Sequence, residues 1–294
     1  MIKESRGDRI FKVVVVCIVV LIALLCLLPF LNILSISMSS KNVVLAGEVF
    51  FLPKDLDFTA YSVVFSNAKM WRSLIFTIVL TVVSVAVSMV MTILCAYPLS
   101  RRDLPCRNVF MLIFAFTMYF GGGMIPNYLL MRNLGMLDTL WVMILPGALS
   151  VYNMILARTF MQTSIPGELL EAATLDGCSD LRYFLQIVLP LSKAIIAVVA
   201  MYSAVAHWNT YFNAMLYLDS MEKMPLQIIL REILLANQFD ASMMVDPELQ
   251  EARADLADVL KYALIMISTV PILLVYPFIQ KYFVQGMMIG SVKG

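Results

Sequence analysis

The sequence has little that could carry out chemistry. It contains one histidine, His207, and its five cysteines show neither C-x-x-C nor any other metal-ligand spacing. The phosphate-binding loop G-x-x-x-x-G-K-[ST], the zinc motif H-E-x-x-H and the nucleophile elbow G-x-S-x-G are absent from it. We therefore predict a non-catalytic chain with no metal site and no cofactor of its own.

Charged residues are also scarce. They make up 14% of the chain, against about 25% in soluble domains, and 61% of the residues are hydrophobic, against about 45–50%. The net charge is +1 and no basic stripe is interleaved with aromatic residues, so we expect no nucleic-acid partner. The apolar residues gather into long charge-free runs, which a soluble core does not require, so we expect a lipid environment.

Six apolar runs are each long enough, at about 20 residues, to cross a hydrocarbon layer of about 30 Å. They are residues 13–40, 73–100, 108–131, 139–157, 194–218 and 262–280. We predict an all-α integral membrane protein with six transmembrane helices in a single domain. A signal peptide is a competing interpretation of the first run, but the run is too long for one and no A-x-A-like site follows it.

The distribution of charge predicts the orientation. Four basic residues precede the first run and three arginines lie in the short loop after the second, and cytoplasmic loops carry such an excess. Both termini, with the tail 281–294, and the segment 164–190 are then cytoplasmic, whereas the acid-rich segment 219–261 is extracellular. The six runs contain no carboxylate, which argues against a proton- or ion-driven transporter.

Several runs carry internal signals. In the second run, hydroxyl residues recur every three or four positions, which suits close helix packing but leaves a polar pathway lining open. These residues are Thr77, Thr81, Ser84, Ser88 and Thr92. Three glycines at 121–123 predict an interruption of the third run, either as a re-entrant turn or as part of a pathway mouth. Pro98, Pro146 and Pro271 predict kinks.

The fifth run is the most polar of the six. Its hydroxyl, amide and aromatic side chains can hydrogen-bond to sugars and stack on them without charge. We predict a substrate pathway formed by Tyr202, Ser203, His207, Trp208, Asn209 and Asn213. The alternative is that the aromatic residues belong to the membrane-interface belt and that His207 is a packing residue.

Residues 164–190 predict two short helices joined at Gly177. Pro166 suits a first helical position, and Glu168 and Glu171 follow in the first turns, where carboxylates oppose the positive end of the helix dipole. Gly177 stands where a helix needs a left-handed residue to stop, and Ser179 can cap the next helix. We call residues 164–190 the hairpin.

The spacing within the hairpin is specific. Glu171-Ala172-Ala173, Gly177, Ile187 and Leu189-Pro190 resemble the EAA loop of bacterial ABC importer permeases, and they lie between runs four and five, as in that family. The pair Trp208-Asn209 and the C-terminal ending are similar to the carbohydrate-uptake branch that includes the smaller maltose permease subunit. Residues 120–126 are similar to a segment of the oligosaccharide and alginate-type permeases.

This resemblance implies a permease subunit that moves a carbohydrate, expected to be an oligosaccharide, across the bacterial cytoplasmic membrane. It implies a second permease, an extracellular solute-binding protein and two ATPase subunits that hold ATP and magnesium. In the family, the EAA segment is a coupling helix that docks on the ATPase, which implies coupling roles for Glu168, Glu171, Ala172, Ala173, Asp176, Gly177, Leu189 and Pro190. The family's C-terminal tail also reaches the ATPases, which implies contacts by Gln285, Gly286, Gly290, Lys293 and Gly294. Importers of other solutes and a stand-alone channel or facilitator are the alternatives.

Overall fold

The computed structural model describes residues 5–239, 260–277 and 280, and the regular elements in these ranges are all helices. The helices are α1 (Arg6–Ser37), α2 (Lys41–Leu45), α3 (Thr59–Ser66), α4 (Ala68–Ser100), α5 (Arg107–Tyr119), α6 (Met124–Asn133), α7 (Leu140–Ile144), α8 (Val151–Ser164), α9 (Glu168–Leu175), α10 (Asp180–Tyr183), α11 (Leu189–Leu191), α12 (Lys193–Trp208), α13 (Phe212–Tyr217), α14 (Leu226–Phe239) and α15 (Leu260–Pro277). A π-helical turn, Phe184–Val188, joins α10 to α11. The predicted all-helical class is confirmed.

Three of these helices, α1, α4 and α15, are long and apolar enough to cross a membrane. The pair α5 and α6 is bent by 109°, and the pair formed by Asp180–Leu191 and α12 is bent by 76°. If each bent pair is one span, the described helices provide up to five spans. The predicted count of six is therefore not reached by these helices.

The third, fourth and fifth apolar runs are each divided between two helices. The third run breaks at residues 120–123, where Gly123 has a φ of +86°, as the three glycines predict. The fourth breaks at residues 145–150, which include the predicted kink at Pro146. The fifth breaks at residues 209–211, where neither proline nor glycine marks the end of α12.

The chain divides into two compact units, residues 1–70 with 230–270 and residues 71–229 with 271–294. In the first unit, the last turns of α1 hold the following loop. The Asn32 amide donates to the Phe50 carbonyl at 2.7 Å and the Ser35 hydroxyl to the Phe51 carbonyl at 2.8 Å. The apolar stretch of α1 is not buried within the chain, as expected of a helix that faces lipid or another subunit.

In the second unit, the hydroxyl stripe of α4 faces inward. Thr77, Ser84, Ser88 and Thr92 are each no more than 1% exposed, so these four side chains share the buried face of α4, as the repeat predicts. The Thr77 hydroxyl donates to the Ser73 carbonyl at 2.7 Å and accepts from the Leu226 amide at 2.8 Å. The hydroxyls of Thr81, Ser84 and Thr92 make no hydrogen bond to any part of the chain that the structure describes.

A clasp formed by Asp138, Ser220 and Lys223 joins the turn before α7 to the chain after α13. The Asp138 carboxylate accepts from the Ser220 amide at 3.1 Å, from the Ser220 hydroxyl and from the Lys223 ammonium at 3.0 Å. The hydrogen bonds from Ser220, with those from Lys223, hold the pKa of Asp138 well below its ordinary value. The clasp is thus formed by the ionised carboxylate.

A core in the second unit joins α4, α8 and α12 to the hairpin. Helix α8 packs against α5 and α12, and the hairpin contributes side chains from both of its helices. The buried members are Ala96, Leu99, Met154, Ala157, Met161, Ala173, Tyr183, Phe184, Val188, Ile195 and Val199. The hairpin is therefore fixed by apolar packing on one face while its other face stays open.

Candidate functional site

The hairpin turns at Gly177, as predicted. The glycine has a φ of +70°, its amide donates to the Thr174 carbonyl at 3.0 Å, and the Cys178 amide donates to the Ala173 carbonyl at 2.9 Å. These two bonds form the Schellman motif, which closes a helix at a left-handed residue. Helix α10 then starts with the Ser179 hydroxyl accepting from the Arg182 amide at 3.4 Å.

The first helix of the hairpin, α9, begins at Glu168, two residues later than the position expected for Pro166. A turn does start at the proline, since the Leu169 amide donates to the Pro166 carbonyl at 3.3 Å. Glu168 and Glu171 lie in the first turn, as predicted. Both side chains are exposed, so they face away from the packed side of the helix.

The residues proposed for coupling do not all share one face. Glu168, Glu171, Ala172, Asp176, Gly177 and Pro190 are exposed, whereas Leu189 is half-buried. Ala173 is only 8% exposed and packs into the core beside Tyr183 and Phe184. Of the two alanines, Ala172 is on the open face, whereas Ala173 packs against the core, where a small side chain fits.

Large apolar side chains lie on the open face of this polar segment, which the sequence pattern did not single out. Leu175 is 90% exposed, Leu181 is 66% exposed and Leu185 is 52% exposed. Together with the two glutamates, these leucines form the surface that we call the coupling face.

An arginine ties the hairpin to the end of α4. The Arg101 guanidinium donates to Asp103 at 2.9 Å through Nε and to Asp180, the first residue of α10, at 2.5 Å through Nη1. Asp103, followed by Asp180, raises the pKa of Arg101, and Arg101 in turn lowers the pKa of Asp103. A cavity of about 830 Å³ lies between this loop and α9, and Arg102, Glu168 and Glu171 line it with Arg101.

A second cavity, of about 420 Å³, lies among α4, α8, α12 and α13. Four residues of the predicted pathway line it, namely Tyr202, Ser203, His207 and Asn213. Trp208 and Asn209 do not line it. Trp208 is buried, and the Asn209 amide group is exposed and donates to the Val205 carbonyl at 2.9 Å. The structure therefore brings together four of the six predicted pathway residues.

Sequence reasoning missed the side of this cavity that α8 forms. Ser150, Tyr152 and Asn153 line it, with Gly147 and Met143 beside them. The Asn153 amide donates to the Ser203 hydroxyl at 3.4 Å, and the hydroxyls of Ser203 and Ser88 are also 3.4 Å apart. Asn153 is a buried amide in an apolar run, and that is the signal that could have found it.

The lining of this cavity combines polar side chains with apolar surface and carries no fixed charge. Its residues are Ser88, Met143, Gly147, Ser150, Tyr152, Asn153, Tyr202, Ser203, Ala206, His207, Thr210 and Asn213, with no Asp, Glu, Lys or Arg among them. Hydroxyls, amides and tyrosine rings can hydrogen-bond to a neutral polar molecule and pack on its apolar faces. Within the described residues, no cluster of His, Cys, Asp and Glu could hold a metal ion.

The predicted tail contacts lie outside the described residues, because Gln285, Gly286, Gly290, Lys293 and Gly294 all follow residue 280. Residues 240–259 of the predicted extracellular segment 219–261 are also outside them. The roles predicted for both segments stay predictions.

Comparison with known proteins gives concordant matches. A family model described as a binding-protein-dependent transport system inner membrane component matches residues 67–289. The polygalacturonan/rhamnogalacturonan transport system permease protein YtcP of Bacillus subtilis (strain 168) is 41% identical over 266 residues, which cover 90% of this chain and 91% of that protein. Protein LplC of the same organism is 39% identical over 290 residues, which cover 99% of this chain and 97% of LplC.

A solved structure shares the fold. One chain in the crystal structure of a bacterial ABC transporter involved in the import of the acidic polysaccharide alginate superposes with a TM-score of 0.82 at 37% sequence identity. The superposition covers 96% of this chain and 100% of that chain. The similarity thus extends over nearly the whole length of both chains.

Proposed function

This chain belongs to the family of binding-protein-dependent transport system inner membrane components, and on that premise we propose that it is the permease subunit of an ABC importer for an oligosaccharide. The observation that carries the proposal is the near full-length similarity to YtcP, whose name specifies polygalacturonan and rhamnogalacturonan transport, and to a chain of the alginate importer. The chain is a transport subunit of the cytoplasmic membrane, and ATP hydrolysis takes place in its partners.

The proposed assembly contains this chain, a second permease, two ATPase subunits that bind ATP and magnesium, and an extracellular solute-binding protein. The basic residues before α1 and after α4 favour a cytoplasmic hairpin and cytoplasmic termini. Six spans are compatible with this orientation if α7 and α8 together make the fourth. The substrate then crosses where the two permeases meet.

The coupling face is the proposed contact with the ATPase. The exposed Glu168 and Glu171 side chains can pair with basic residues, and Leu175 offers apolar area that contact with a partner would bury. Ala172 allows close approach, whereas Ala173, Leu189 and the Gly177 turn hold the hairpin in shape. Gln285, Gly286, Gly290, Lys293 and Gly294 are proposed as a second ATPase contact on the resemblance alone.

The cavity of about 420 Å³ is the proposed part of the pathway that this chain contributes. Its uncharged lining suits a sugar, because hydroxyl groups pair with serine and asparagine side chains and sugar rings pack on tyrosine. Weak, distributed hydrogen bonds also let the substrate leave again, which transport requires.

Two asparagines on the same stretch of chain provide a matched test. Asn213 lines the cavity and Asn209 does not, and both are exposed within the chain. In proteoliposomes that hold the complete transporter, Asn213→Ala should raise the sugar concentration for half-maximal uptake about two- to tenfold, the value of one lost hydrogen bond. Asn209→Ala should leave it unchanged, and equal effects of the two substitutions would contradict the placement of the pathway.

The same proteoliposomes separate an importer from a facilitator. Uptake by the importer requires ATP on the ATPase side and accumulates sugar against its gradient. If uptake proceeded equally without ATP, or without the ATPase subunits, the chain would be a channel or facilitator and the proposed function would be wrong.

A further inference from the structure

Arg101 holds two distant parts of the second unit together. It follows the last residue of α4, and its side chain is 21% exposed. One edge of its guanidinium group binds Asp103, two residues away, and Nη1 reaches Asp180, which is 79 residues away on the second helix of the hairpin. The Asp180 side chain is 76% exposed, so water screens this ion pair, and its main contribution is the direction that the planar guanidinium fixes.

The same side chain also braces α4 itself. Pro98 lies inside α4 and removes one of its backbone hydrogen bonds, which makes the last turn of the helix compliant. Arg101 Nη1 donates to the Tyr97 hydroxyl at 3.3 Å, so this contact joins the residues on either side of the proline in sequence. The Tyr97 ring in turn packs on Phe184 of the hairpin, with the ring centres 4.7 Å apart.

Helix α4 connects this junction to the cavity. It is one helix from Ala68 to Ser100, and Ser88 lies 13 residues before Arg101, which is about 20 Å along a helix that rises 1.5 Å per residue. Ser88 lines the cavity, and its hydroxyl is 3.4 Å from that of Ser203. A shift of the cytoplasmic end of α4 therefore changes the position of a residue in the cavity wall.

We propose that Arg101 is a positioning residue that passes displacement of the hairpin through Asp180 to α4 and so to the cavity. This inference rests on the proposed function, in which the ATPase moves the hairpin. Apolar packing holds the hairpin on the core, but the hydrophobic effect has no preferred direction. The Arg101–Asp180 bond adds a directional contact between the hairpin and the end of α4 at one point.

The two carboxylates that bind Arg101 give a matched pair of variants. Asp180→Ala breaks the one hydrogen bond from Arg101 to the hairpin, and Asp103→Ala breaks the two hydrogen bonds within the loop. Each substitution removes one carboxylate that pairs with the same guanidinium, and the two differ in which segments that carboxylate connects. Asp180→Glu is the conservative variant that keeps the carboxylate.

The experiment measures sugar taken up per ATP hydrolysed by the complete transporter in proteoliposomes. We expect Asp180→Ala to lower this ratio about two- to fivefold, as the loss of a solvent-screened ion pair would, and Asp103→Ala to leave it near the wild-type value. Asp180→Glu should restore most of the ratio, whereas ATP hydrolysis itself should continue in all three variants.

The outcomes distinguish this proposal from the one on which it rests. If the wild-type transporter shows no ATP-dependent uptake, the proposed function is wrong. If the wild type transports but the two alanine variants have equal ratios, Arg101 is not a positioning residue for coupling. A loss of assembly in Asp180→Ala that Asp180→Glu does not reverse would also overturn it, since the bond would then be merely structural.

Discussion

Replacing Gly177 tests whether the shape of the hairpin, and not only its composition, is needed for contact with the ATPase. Gly177 has a φ of +70°, and a Cβ atom added there would meet no heavy atom within 4 Å. Gly177→Ala therefore adds no clash, and its cost is the left-handed backbone alone, about 1–2 kcal/mol. Gly177→Asn should cost less, because asparagine visits this region more readily.

This energetic cost shifts the equilibrium between the formed and the unformed turn of the hairpin. A penalty of 1–2 kcal/mol lowers the equilibrium constant for forming the turn by a factor of about 5–30. If the ATPase binds the hairpin only in this shape, its affinity for the permease should fall by up to this factor in Gly177→Ala and by a smaller factor in Gly177→Asn. The dissociation constant of the purified ATPase and the detergent-solubilised permease measures this directly.

Gly167 provides the control, because it precedes the same helix in an ordinary conformation. Its φ is −62° and its ψ is −30°, and an added Cβ would also meet nothing within 4 Å. Gly167→Ala should change stability by no more than about 0.5 kcal/mol, so binding should be unaltered. Equal affinities for Gly177→Ala and Gly167→Ala would refute the reasoning, since only one of the two substitutions strains the backbone.

Two further predictions concern the second unit of the chain. Thr77→Val leaves the buried Leu226 amide without its acceptor and should lower the free energy of unfolding in detergent by about 1–3 kcal/mol, whereas Thr81→Val, which removes a hydroxyl without a partner, should be neutral. Comparable losses in both variants would mean that the Thr77 hydrogen bond contributes nothing. The clasp contributes its full stability above the ordinary aspartate pKa of about 3.9, and this stability is lost as the pH falls through the lowered pKa of Asp138 in the folded protein. The acid sensitivity of thermal unfolding should therefore be smaller in Asp138→Asn. If Asp138→Asn unfolded with the same pH profile as the wild type, the clasp would not be the source of the acid sensitivity.

Local features of this fold follow from the sequence because they depend on near neighbours. The left-handed stop at Gly177 and the cap at Ser179 each involve residues within five positions of one another. The inward face of α4 follows from a three- to four-residue repeat, which fixes one side of a helix without reference to its partners. These are the parts of the fold and the coupling segment that were predicted correctly.

Features that depend on distant segments were predicted less well. The cavity needs Asn153 of α8 beside Ser203 of α12, 50 residues apart, and no local pattern specifies that contact. Trp208 was predicted for the pathway with its neighbours, but it is buried, because one residue turns a helix by about 100°. Ala173 was expected at the docking surface, and the packing of the hairpin on α4 and α8 places it in the core instead.

The exposed leucines of the coupling face also bear on how the cell makes this protein. If the hairpin is cytoplasmic and binds the ATPase, as proposed, a copy that has been inserted into the membrane without that subunit presents Leu175, Leu181 and Leu185 to the cytosol. Chaperones and proteases act on exposed apolar segments of this kind, and their action lowers the steady-state amount of an unassembled chain. Binding of the ATPase would then protect the newly made permease from degradation, so that the supply of ATPase limits the abundance of the permease.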